Sequence, residues 1–122
     1  MAKLSETIKS ADWKVEKHAP VIELPESIKA GEPIKVKVGP GKAIAHPNTI
    51  EHHIMWISVF FQPEGAPVPF QVGHFDFTGH GPVFTDPSVK VTFTTDKPGT
   101  VHASSFCNIH GMWESSAELS FS

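Results

Sequence analysis

Apolar and polar positions alternate with a period of two along much of the chain. From Glu32 to Val38, the residues Ile34, Val36 and Val38 fall on one face, with Lys35 and Lys37 on the other. Val89, Val91 and Phe93 alternate in the same way with Lys90, Thr92 and Thr94. The segment from His52 to Phe61 is apolar on both faces, which predicts a central strand. Further strands are expected over Val21 to Leu24, Phe70 to Phe77, Thr100 to Phe106 and Trp113 to Phe121. Eleven prolines and nine glycines separate these segments, in turns such as Asp96-Lys97-Pro98-Gly99. About seven strands joined by short turns predict an all-β fold, a seven-stranded immunoglobulin-like antiparallel β-sandwich. No long helical period is present. Residues 6–12 are expected to make at most one turn, and residues 1–12 form an irregular N-terminal segment. With no repeat and no linker, residues 1–122 read as a single domain.

Composition narrows the function. The formal net charge is −3 and arginine is absent, so bidentate clamps on phosphate or guanine are not available. A nucleic-acid partner is not expected. Lys9, Lys14, Lys17, Lys29, Lys35, Lys37 and Lys42 nonetheless all lie toward the N-terminal end, where they form a solvated face or a local positive field for a small anion. The single cysteine cannot form an intrachain disulfide, which fits a reducing compartment. The longest apolar run, Ile54 to Phe61, contains Ser58 and is too short to span a bilayer. The start of the chain carries no apolar signal core. The expectation is a cytoplasmic protein with no membrane partner.

The chemistry-bearing residues gather in three blocks. Cys107 and His110 sit three residues apart in Cys107-Asn108-Ile109-His110-Gly111, and Gly111 permits the turn that would bring thiolate and imidazole to one ion. His46-Pro47-Asn48 is a turn signature leading into the central strand. His52 and His53 follow at the start of that strand. Alternation groups His52 with Ile54 and Trp56, and His53 with Met55 and Ile57, so only one of the pair can face a given site. In Glu16-Lys17-His18, extended geometry puts Glu16 and His18 on one side and Lys17 on the other. One thiolate with several imidazoles suits a borderline transition metal. Four imidazoles and one thiolate exceed a closed tetrahedral zinc site and leave an octahedral metal one open position. His74, His80 and His102 lack a second donor at chelating spacing and read as structural or surface residues. Trp113 reads as packing.

Taken together and in order, Glu16-Lys17-His18-Ala19-Pro20, His46-Pro47-Asn48 with Glu51-His52-His53-Ile54, and Cys107 to Gly111 resemble the superoxide reductase family in its short, single-iron, neelaredoxin-type form. The resemblance runs from about residue 13 to the C-terminus. With one cysteine, the four-cysteine rubredoxin-like iron site of the longer desulfoferrodoxin form is not expected. The resemblance implies the same seven-stranded sandwich and a mononuclear non-haem iron cycling between Fe2+ and Fe3+. It implies His18, His46, His52 and His110 as equatorial imidazoles and Cys107 as the axial thiolate. Glu16 would close the sixth position in the oxidised resting state, and Lys17 would attract the anion. The implied reaction is one-electron reduction of superoxide to hydrogen peroxide without dioxygen production. The implied partners are a rubredoxin-like electron donor and further copies of the chain, as a dimer or tetramer.

Two other readings compete. A cupredoxin-like electron carrier would use Cys107, His110 and Met112 with one upstream histidine around copper. A non-catalytic domain with structural zinc would account for one thiolate and three imidazoles, leaving Glu16, Lys17 and the fourth histidine without a role.

Overall fold

The computed structural model describes residues 3–10, 18–41, 45–79 and 81–122. After one helical turn, α1 (Leu4–Thr7), seven strands follow: β1 (Val21–Glu23), β2 (Ile34–Gly39), β3 (Ile54–Pro63), β4 (Phe70–Asp76), β5 (Val89–Phe93), β6 (Gly99–Cys107) and β7 (Gly111–Leu119). They form a three-stranded sheet in the order β1-β2-β5 and a four-stranded sheet in the order β4-β3-β6-β7. Every strand pairing is antiparallel. This is the expected immunoglobulin-like arrangement, with the fourth strand joined to the edge of the sheet that holds the third, sixth and seventh.

The alternation read from the sequence explains the layers. Ile34, Val36, Val38, Val89 and Val91 from one sheet meet Ile57, Val59, Phe61, Val101, Ala103 and Leu119 from the other in one buried cluster. Each such aliphatic side chain contributes about 1.5–3 kcal/mol when fully buried. Cys107 belongs to the same cluster, fully shielded from solvent.

Two boundaries differ from expectation. The last strand begins at Gly111 rather than Trp113, because Cys107 pairs directly with Gly111 and closes a three-residue loop. Gly111 has φ +83°, a conformation that costs glycine little and other residues more. The single helical turn expected within residues 6–12 lies earlier, at Leu4–Thr7, and Lys9 then forms a parallel bridge with Trp113.

Among the described residues, no helix is long and apolar enough to cross a membrane.

Candidate metal centre

One end of the sandwich collects the starts of β1, β3 and β7 and the ends of β2 and β6. The register makes this explicit: Val21 pairs with Gly39, Ile54 with Cys107, and Cys107 with Gly111. His18 precedes β1, His46 and His52 lie between β2 and β3, and His110 lies in the loop between β6 and β7. Antiparallel topology thus brings together residues that are far apart in sequence.

The candidate ligand atoms of His18, His52, Cys107 and His110 all lie within 4.8 Å of one another. His46 stands beside them, its ring centroid 4.9 Å from that of His18 and 4.5 Å from that of His52. His18 Nε2 and His110 Nδ1 are 2.9 Å apart. Two imidazole nitrogens bound about 2.1 Å from one ion at a right angle lie ~3.0 Å apart, so this pair fits neighbouring positions of a shared metal. The His46 Nδ1 meets the Pro47 carbonyl at 2.7 Å. A carbonyl oxygen only accepts, so Nδ1 carries the hydrogen and Nε2 keeps its lone pair for a metal. The Nε2 atoms of His46 and His52 are both sealed from solvent. Cys107 is a free, buried cysteine, and its Sγ accepts a hydrogen bond from the His110 backbone N–H at 3.5 Å. The donor set fits iron: five mixed nitrogen and sulfur donors leave an octahedral ion one further position.

The choice between His52 and His53 is made by a β-bulge. Ile54 pairs with Cys107 and Trp56 with Phe106, so two steps on β3 match one step on β6 and Met55 is the extra residue. Alternation counted back from the buried Ile57 would turn His53 inward. The bulge shifts the phase, so Ile54 is buried, Met55 is exposed and His52 joins the cluster. His53 instead directs Nδ1 to the Thr49 carbonyl at 2.9 Å.

Three supporting residues were not recognised as such in the sequence. Ser105, 3 % exposed, donates its hydroxyl to the His18 carbonyl at 3.3 Å. Its signal was a polar residue on the inward face of β6, in phase with Val101, Ala103 and Cys107. Trp113 stacks on His18 and donates Nε1–H to the His110 carbonyl at 3.3 Å. Asn108 bonds to the loop that carries His52. Among the described residues, His74 and His102 stay out of the centre. His74 lies between Ser58 and Asp76, and His102 meets Gln62 at 3.1 Å. Glu16, Lys17 and His80 lie outside the described residues.

The copper reading fails on the position of Met112. Met112 pairs with Phe106, while Cys107 pairs with Gly111. Successive residues of a strand face opposite sides, so Met112 lies on the outer face of the sheet. There it lines a groove with Phe60, Gln62 and His102. A structural zinc site would leave one of the five donors unused.

Comparison with known proteins agrees with the geometry. The family model described as Desulfoferrodoxin matches residues 10–116. The superoxide reductase of Pyrococcus horikoshii is 50% identical over 116 residues, 95% of this chain and 98% of that one. The neelaredoxin of Megalodesulfovibrio gigas is 47% identical, covering 93% of this chain and 95% of its own. The structure of the reduced superoxide reductase (neelaredoxin) of Archaeoglobus fulgidus superposes with a TM-score of 0.85 at 45% identity, over 93% of this chain and 98% of that one. Because the family model spans residues 10–116, the stretch that includes His18, His46, His52, Cys107 and His110, the chain belongs to the desulfoferrodoxin family.

Proposed function

We propose that this chain is a superoxide reductase whose iron is held by His18, His46, His52, His110 and Cys107. The observation that carries the reading is the convergence of four imidazoles and one thiolate at one end of the sandwich. Relatives about half identical over nearly the whole chain carry the same name. Superoxide gains one electron and two protons and leaves as hydrogen peroxide, and no dioxygen is formed. Bound iron supplies the one-electron couple and the open coordination position.

The protein residues set the conditions. Lys17 draws the substrate anion, an effect that raises association rates by roughly 10 to 10³ and weakens with salt. Glu16 would offer a carboxylate to the remaining position of the oxidised iron. The His110 N–H tempers the charge on the Cys107 sulfur.

The same reading extends to partners. A rubredoxin-like protein supplies the electron, and Ile109, 57 % exposed between Cys107 and His110, offers it an apolar contact close to the centre. The chain acts in the cytoplasm, where its lone thiol stays reduced. Residues 1–122 work as one domain and associate as a dimer or tetramer, since open sheet edges favour pairing.

Metal analysis with visible spectroscopy tests the assignment. About one iron per chain, with a visible band bleached by ascorbate, supports it. Protein that accepts only copper or zinc after iron reconstitution contradicts it.

A further inference from the structure

We propose that Asn108 is a positioning residue that fixes His52 against Cys107. The inference rests on the metal-centre reading above. Asn108 follows Cys107 directly, and its backbone N–H donates to the His53 carbonyl at 3.2 Å. Its carboxamide then continues the strand pairing with side-chain atoms. Oδ1 accepts from the His53 backbone N–H at 2.9 Å, and Nδ2 donates to the Glu51 carbonyl at 3.0 Å. Those two peptide groups lie on either side of His52.

The pattern is that of a parallel ladder, in which one residue donates to the carbonyl before, and accepts from the N–H after, the residue it faces; the carboxamide makes both bonds around His52. Only a carboxamide offers a donor and an acceptor in that arrangement. The backbone of His52 itself is held by Thr49. The His52 N–H meets the Thr49 carbonyl at 3.3 Å and its hydroxyl at 3.1 Å, while the Thr49 N–H donates to the His52 carbonyl at 2.9 Å. Thr49 therefore shapes the turn, and Asn108 joins that turn to the cysteine loop. Loss of the carboxamide frees the turn to shift relative to Cys107, which loosens the pair as a metal chelate.

The test compares iron-reconstituted wild-type protein with Asn108→Ala, Asn108→Asp and Gln62→Ala. Gln62 is the control, because its carboxamide also makes two bonds, to Ala66 and His102, toward the far end of the same strand pair. Iron affinity is read by chelator competition, the thiolate-to-iron band by absorption, and fold stability by melting of the metal-free proteins. The expected result is an affinity drop of about 10–100-fold in Asn108→Ala, with a shifted band. Asn108→Asp keeps the bond to the His53 N–H but faces the Glu51 carbonyl with an oxygen, so it gives a smaller drop; it carries the test if the alanine variant does not fold. Gln62→Ala lowers the melting temperature and leaves affinity and band unchanged. Wild-type affinity and band in both Asn108 variants overturn the inference, as does an equal affinity loss in Gln62→Ala. Wild-type protein that takes up no iron overturns the metal-centre reading as well.

Discussion

The Trp113 indole lies parallel to the His18 imidazole, with 15° between the planes and 4.9 Å between ring centroids. Its Nε1–H reaches the His110 carbonyl at 3.3 Å. One aromatic side chain thus supports two candidate ligands that enter the site from opposite ends of the sequence. Trp113 is itself braced by the N-terminal segment: the Lys9 N–H donates to the Met112 carbonyl at 3.0 Å, and the Glu114 N–H donates to the Lys9 carbonyl at 2.8 Å.

Replacement of Trp113 separates its two contributions. Trp113→Phe keeps the stacking and loses the hydrogen bond, at about 1 kcal/mol. Trp113→Ala loses both, at about 2 kcal/mol, and lowers iron affinity. Urea unfolding of the iron-loaded proteins measures the difference. Equal stability in all three would remove Trp113 from the support of the site.

Cys107→Ser removes the thiolate while nearly preserving side-chain size. The thiolate-to-iron absorption band is expected to vanish, with weaker iron binding through the imidazoles. A retained band in the iron-loaded variant would exclude Cys107 as a ligand.

Lys17→Ala is expected to slow superoxide consumption by roughly 10-fold or more at low ionic strength and to flatten its salt dependence. Pulse radiolysis across a salt series reads both. An unchanged second-order rate at low salt would exclude the steering role.

At the opposite end of the molecule, Gly99 is packed against the β3 backbone. A Cβ there would collide with the Gln62 carbonyl oxygen and lie 2.9 Å from Pro63 Cα. Backbone atoms cannot move aside cheaply, so Gly99→Ala costs at least about 2–3 kcal/mol. The iron spectrum of its folded fraction stays as in wild type, because the strain is remote from the centre. Thermal unfolding with absorption spectroscopy checks both points.

Much of this architecture was legible because strand alternation records burial directly. Ile34, Val36 and Val38 show their inward face in the bare sequence, and the structure buries all three. The centre was harder to read, because its geometry depends on departures from that rule. His52 faces the cluster only because Met55 bulges out of the β3–β6 pairing, and a period-two pattern carries no mark of a bulge. Trp113 gave no sign of contact with His18, since stacking between distant segments is a product of topology. Asn108 resembled an ordinary loop residue, and its carboxamide acquires a role only where two loops meet. The resemblance carried by the three sequence blocks pointed to His52 where alternation left two candidates.

The most direct measurement of the central claim is product stoichiometry under a steady flux of superoxide, with the iron-loaded protein and an excess of one-electron reductant. The account predicts one hydrogen peroxide per superoxide consumed, one electron drawn from the reductant, and no dioxygen from the catalysed reaction. One hydrogen peroxide and one dioxygen for every two superoxides, with the reductant untouched, would be dismutation and would contradict it.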